Sequence, residues 1–164
     1  MRLLKELLTV GGNDDYRLMI ANFNPQWLIR YFSELSGIIR DHHRKIAYLH
    51  VPVQSGSDKI LELMKRPYRI SQVKKCLNHL KRMTPSLKVI TNIMVGFPGE
   101  ENEDFEASMA FLKEVQPNYT FVFPYSQRPH TPAVSLEDKI PQGIIKKRYA
   151  ELTNALNYLK RRPS

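Results

Sequence analysis

The sequence contains a single cysteine, Cys76. This excludes an internal disulfide and any zinc or iron–sulfur site built from several cysteines of this chain. Cys76 falls in VKKCLNHL (residues 73–80), an amphipathic helical pattern, and reads as a buried structural thiol. Long apolar runs are also missing. Nothing approaches the roughly 18 apolar residues of a membrane-spanning helix. The opening MRLLKELL is leucine-rich, but Lys5 and Glu6 interrupt it and no small-residue cleavage site follows, so it does not read as a signal peptide. The expected location is the cytoplasm. Acidic residues are scarce, with 16 Asp and Glu against 25 Lys and Arg, which leaves a net charge of +9. Such a balance favours a polyanionic partner, RNA foremost. No Ser–His–Asp set and no paired carboxylates stand at a usable spacing. His42 and His43 are adjacent, point in different directions and chelate poorly.

What the chain does have is an alternation of apolar runs and amphipathic stretches. Residues 17–21, 46–53, 88–95 and 119–123 read as strands. Amphipathic stretches of ten or more residues separate them, and such spacing means βαβ units and a parallel sheet. The fold class is therefore α/β. A helix tail over Leu3–Leu8 is stopped by Gly11–Asp14. Asn24 caps a helix with Pro25 at its first position. That helix carries Trp27, Leu28, Tyr31, Phe32 and Leu35 at helical spacing, which reads as core. Ser57 or Asp58 caps the next helix. Another runs from Ser71 to about Met83. Glu100–Glu106 opens a helix whose first-turn carboxylates suit the positive end of its dipole. Residues 124–141 are proline-rich and form a surface loop, and a basic helix follows to about Lys160. Two segments result: a core over residues 1–140, and a basic helix over 141–164 leading out of it.

In a parallel sheet, the loops after the second, third and fourth strands share one rim, the usual ligand side of such sheets. They are Gln54–Ser55–Gly56, Gly96–Phe97–Pro98–Gly99–Glu100 and Pro124–Tyr125–Ser126–Gln127–Arg128. Gly56 is expected to admit close approach of a ligand. The helix start after it offers N–H groups to an anion. Gly96 and Gly99 around Pro98 suggest a tight turn against a flat ligand. Tyr125 can stack, and Arg128 can hold a phosphate or carboxylate. His50, inside a strand beside Pro52, reads as a hydrogen-bonded residue of the sheet and not a metal ligand.

Three blocks together resemble a known family. The run HVPVQSGSDKILELMKR (50–66) is similar to the central signature of the radical S-adenosylmethionine (SAM) methylthiotransferases. ITNIMVGFPGE (90–100) and FPYSQRPHTPA (123–133) resemble the two blocks that follow it. The middle block alone is shared by many radical SAM enzymes; the first is specific. The resemblance spans residues 17–160 and implies a partial (β/α) barrel of about four βα units, TIM-barrel-like in the radical SAM manner. It implies SAM and a [4Fe–4S] cluster as cofactors of the full-length enzyme, and methylthiolation of a tRNA nucleoside, with tRNA the expected partner. It places Gln54 and Ser55 near the methionine and ribose of SAM. Gly96, Phe97 and Pro98 fall on the adenosine side, Phe123, Pro124 and Tyr125 at the adenine, and Arg128 toward substrate; Gly56 and Asn92 are further cofactor-binding positions.

The family's Cys-x3-Cys-x2-Cys cluster motif has no counterpart here. The expectation is therefore that this chain holds no cluster and cleaves no SAM alone. An N-terminal part of the enzyme, or a partner, is expected to cover the open barrel edge. His130 stands where the family usually has glycine. The rival readings are a non-catalytic basic module that binds RNA or a partner, and a radical SAM enzyme with another substrate.

Overall fold

The computed structural model describes residues 1–10, 16–129 and 131–161. The proposed helix stop at 11–14 and the position of His130 lie outside them. Helix α1 spans Arg2–Thr9, strand β1 Leu18–Ile20, helix α2 Pro25–Arg30 and helix α3 Phe32–Asp41. Strand β2 covers Ile46–Gln54, helix α4 Asp58–Leu63, helix α5 Ile70–Met83 and strand β3 Lys88–Val95. Helix α6 spans Asn102–Val115, strand β4 Tyr119–Pro124 and helix α7 Gln142–Arg161. A short 3-10 turn at Pro132–Ser135 interrupts the proline-rich loop.

The four strands form one parallel sheet in the order β1-β2-β3-β4. The expected strands and their parallel pairing are therefore observed. Period-two alternation sorts the sheet residues. Leu49, Val51 and Val53 of β2 and Val89, Ile93 and Val95 of β3 are buried in the core that the helices complete. Helix α7 joins this core through Ile145 and Leu152.

Local signals account for most helix ends. Asn24 Oδ1 accepts the N–H of Gln26 at 2.9 Å, with Pro25 first in the helix. Of the two caps proposed for α4, Ser57 serves. At the end of α6, Lys81 Nζ donates to the carbonyls of Val115 and Gln116 at 2.6 and 2.7 Å. This closes orphan carbonyls with a cation, as the dipole favours, and burial pulls the Lys81 ammonium below its usual range.

The aromatic helix differs from expectation. It breaks at Tyr31, whose φ of −108° and ψ of 22° separate α2 from α3. Leu28 and Leu35 are buried, but Trp27 and Tyr31 are each 40% exposed. Their rings stack on one another, and the Arg30 guanidinium lies over both. The break rotates the two rings out of the core stripe that a continuous helix would present.

Candidate functional site

The sheet curls. Strand β3 separates β2 from β4, yet side chains of β2 and β4 meet across it. Tyr48 and Tyr119 rings lie 6.4 Å apart, and the His50 ring meets Phe121 edge-on at 6.3 Å. This makes the side of the sheet away from the helix core concave. The aromatics on that side remain open to solvent: Tyr119, Phe121 and Phe123 are 48%, 52% and 45% exposed. Alternation along Tyr119-Thr-Phe-Val-Phe123 puts all three on one face, a signal visible in the sequence itself.

His50 and Asn92 lie at the centre of this face. His50 Nδ1 accepts the backbone N–H of Asn22, and His50 Nε2 lies 2.9 Å from Asn92 Oδ1. The reading of His50 as a hydrogen-bonded sheet residue is thereby borne out.

At the rim, β2 ends in a bulge. The ladder to β3 skips from Val51 to Gln54, where the Thr91 hydroxyl accepts the Val53 N–H and donates to the Val51 carbonyl, and the Tyr68 hydroxyl donates to the Val53 carbonyl, in place of ladder bonds. Gln54 then adopts φ of +75°. A non-glycine residue there is strained by about 1 kcal/mol or more, and such positions cluster at ligand sites. Among the described residues, no group bonds the Gln54 side-chain amide.

The neighbouring glycine works differently from expectation. A methyl group on Gly56 would lie 2.5 Å from Ala107 O and Ser108 Cα in α6. Its N–H donates to Ser108 Oγ at 2.9 Å. The close approach that the absent Cβ permits at Gly56 is therefore to a helix backbone. Ser55 is buried as well, its Oγ accepting the N–H of Ser57. The start of α4, expected to face an anion, is turned inward. Ser57 Oγ accepts from Ile60 N–H and donates to Asp104 Oδ1 at 2.6 Å, while Lys59 and the Glu101 N–H hold Asp104 Oδ2. Burial pushes the Asp104 carboxyl up. The Ser57 hydroxyl, the Glu101 N–H and Lys59 outweigh it and hold the group below the usual aspartate range.

The second loop is also braced from behind. Gly96 has φ of +77°, and a methyl group there would strike Ile145 of α7 at 2.4 Å. On the side where a Cβ would stand, Gly96 is packed by α7. Gly96 N–H donates to Glu100 Oε1 at 2.9 Å, and Arg148 Nη1 donates to the same oxygen at 2.7 Å. Arg148 also donates to Glu100 O and Asn102 Oδ1. Burial raises the Glu100 carboxyl above its usual range, against the pull of Gly96 and Arg148. Arg148, 48 residues away in sequence, had no local signal. Phe97 and Pro98 are buried, and Phe97 packs edge-on against Tyr125 with centroids 5.3 Å apart.

Of the third loop, Phe123, Pro124 and Arg128 are exposed and Tyr125 is half-buried. The sequence-selected residues therefore divide. Gln54, Asn92, Phe123, Pro124, Tyr125 and Arg128 reach the surface of the concave face or its rim. Ser55, Gly56, Gly96, Phe97 and Pro98 form the packed wall behind it.

Metal chemistry has no evident ligand set here. Among the described residues, no three His, Cys, Asp or Glu side chains are grouped to hold a metal ion. Cys76 is buried in α5 within the core, and burial raises its thiol. No helix of the described residues is long and apolar enough to cross a membrane.

Comparison with known proteins agrees with this architecture. The family model described as Radical SAM superfamily matches residues 24–112. Among curated relatives, tRNA-2-methylthio-N(6)-dimethylallyladenosine synthase of Aeromonas salmonicida is 34% identical over 94% of this chain and 31% of its own length. The protein of the same name from Vibrio parahaemolyticus is 33% identical over 94% of this chain and 32% of its own. The chain thus spans about a third of the length of the curated relatives it matches. Among solved structures, coproporphyrinogen III oxidase (HemN) from Escherichia coli, a radical SAM enzyme, superposes with a TM-score of 0.70. That match has 20% identity and covers 94% of this chain and 36% of the other, so it speaks for the fold alone. The family model covers more than half of the 164 residues, and the four-stranded parallel sheet has the corresponding fold: this chain belongs to the radical SAM superfamily.

Proposed function

We propose that this chain forms the cofactor- and substrate-facing part of a radical SAM methylthiotransferase core that modifies an adenosine of tRNA. The observation that carries the reading is the concave aromatic face that ends at the strained Gln54. The names of the relatives and the net charge of +9 support a tRNA substrate.

SAM fits the rim. Gln54 offers an unbonded amide for polar parts of the molecule, and Phe123 and Tyr125 offer rings for its purine. When bound beside a [4Fe–4S] cluster, SAM supplies one-electron chemistry that the side chains cannot. The cluster does not fit this chain. Its three thiolates exceed the single, core-packed Cys76, so they come from outside these 164 residues. What this chain's own residues do is positional. The packed wall of Gly56 against α6 and Gly96 against α7 fixes the rim loops. The Arg148–Glu100 pair ties α7 to the loop after β3. Arg128, exposed beyond the rim, is available to a phosphate of the RNA.

The test is mass spectrometry of tRNA nucleosides from cells with and without the gene. Loss of a methylthiolated adenosine on deletion is the expected result. An unchanged nucleoside profile would overturn the proposal. If the purified chain then still bound tRNA with a steep salt dependence, the rival reading as a basic RNA-binding module would take its place.

A further inference from the structure

We propose that the outer surface formed by the loop after α4 and one stripe of α5 binds the phosphate backbone of RNA, holding the substrate at a distance from the nucleoside that is modified. This extends the reading above and rests on it for the choice of RNA.

The positive charge of the chain is concentrated there. Residues 58–82 carry eight Lys and Arg against two Asp and Glu, a net of +6 within a chain of +9. Half of those cations are engaged. Lys59 pairs with Glu101 and Asp104, Lys74 with Glu114, and Arg69 stands 3.8 Å from Asp58. Lys81 closes the end of α6. Among the described residues, no carboxylate pairs with the other four, Lys65, Arg66, Lys75 and Arg82. Lys65, Lys75 and Arg82 are exposed. Of the carboxylates on this surface, Glu62 alone is left without a cation among the described residues.

Folding joins these cations into one surface. Ile70 N–H donates to Asp58 Oδ1 at 2.7 Å, which returns the start of α5 to the start of α4 at the rim. The Tyr68 hydroxyl, donating to the Val53 carbonyl at 2.9 Å, fastens the loop between the two helices to the end of β2. Along α5, Ser71, Lys75, Asn78 and Arg82 recur at steps of four, three and four residues. They therefore share the face opposite the buried Val73, Cys76, Leu77 and Leu80, and the stripe runs about 16 Å along the helix. Two hollows follow one another along it. One of about 510 Å³ is lined by Lys65, Arg66 and Gln72, and one of about 540 Å³ by Ser71, Lys75, Asn78 and Arg82.

The composition of the surface selects RNA over a lipid surface. A helix lying in a membrane interface sets Trp, Phe or Leu beside its cations. Among the described residues, the exposed large apolar side chains all lie outside 58–82. Ser71, Gln72 and Asn78 stand among the cations instead, and such side chains join Lys and Arg in contacts to phosphate and sugar. No exposed aromatic stands there to stack a base, so the surface holds the backbone and reads no sequence.

The experiment is fluorescence anisotropy of a labelled, unmodified tRNA transcript with the 164-residue chain, repeated from low to high salt. Binding is expected, with its logarithm falling linearly against the logarithm of salt. Lys65→Gln, Lys75→Gln and Arg82→Gln combined should reduce the slope by about 2, at about 0.7–0.9 for each lost phosphate contact. The three side chains are exposed, so the fold should stand, and circular dichroism checks this. A control removes the same charge from exposed positions elsewhere, Arg17→Gln, Arg44→Gln and Lys147→Gln, and should change the slope less than about half as much. Vesicles of mixed phosphatidylcholine and phosphatidylserine are expected not to bind. Three results overturn the proposal: no binding of the transcript, equal slope changes in the two triple variants, or vesicle binding that the α5 variant abolishes while RNA binding stays, which would make the face a membrane surface. Any of these with methylthiolation still dependent on the gene refutes this surface alone. RNA binding that depends on Lys65, Lys75 and Arg82 without gene-dependent methylthiolation refutes the enzymatic reading alone.

Discussion

Two glycines of this chain should respond to the same substitution with opposite signs. At Gly56, an alanine methyl would lie 2.5 Å from Ala107 O, 2.5 Å from Ser108 Cα and 2.7 Å from Ala107 C. All three are backbone atoms of α6, so no side chain can rotate away. Relief requires the loop after β2 to move off the helix, and the Gly56 N–H bond to Ser108 Oγ goes with it. Overpacking costs about 1–3 kcal/mol, toward the upper end where backbone must yield, and the lost hydrogen bond adds about 1 kcal/mol. Gly56→Ala should therefore cost about 3–4 kcal/mol, a large share of a typical stability of about 5–15 kcal/mol. Gly37 lies inside α3 with nothing within 4 Å of the added methyl. There, alanine should gain about 0.5–1 kcal/mol by removing backbone freedom from the unfolded chain. Urea denaturation followed by far-ultraviolet circular dichroism measures both as shifts of midpoint at constant slope. In thermal melts each kcal/mol corresponds to about 2–4 °C at this size. If Gly56→Ala matched the unaltered chain, or moved in the same direction as Gly37→Ala, the assignment of Gly56 as a packing glycine would be wrong.

Two further expectations concern the rim and its support. Gln54→Gly removes the cost of a φ of +75° and should stabilise the fold by about 1 kcal/mol while weakening SAM binding; calorimetry showing unchanged SAM affinity would separate the strain from function. Asp104→Asn should destabilise by about 1–2 kcal/mol at neutral pH by weakening the Ser57–Lys59–Glu101 network. The Asp104 carboxyl is held below its unfolded value near 3.9, so its contribution is present above about pH 4 and fades as pH falls through the folded value. The gap between Asp104→Asn and the unaltered chain should accordingly close in acid; a gap independent of pH would show that the charge is immaterial.

The amino-acid sequence by itself determined the four strands, their parallel pairing and most helix starts. These depend on residues within one turn or one pleat of each other: the apolar runs of β2 and β3, the Asn24-Pro25 start, and the carboxylates opening α6. It also limited the chemistry, because one cysteine cannot supply three thiolates. Tertiary structure decided what each rim residue faces. Gly56 and Gly96 looked like glycines kept small for a ligand, and became glycines kept small for α6 and α7, since nothing local says which neighbour arrives there. The break at Tyr31 turned two aromatics of an apparent core stripe to solvent. The His50–Asn92 pair joins residues 42 apart, and the Arg148–Glu100 pair residues 48 apart. Such pairings are set by strand register and by where the last helix docks, both products of the whole core packing at once.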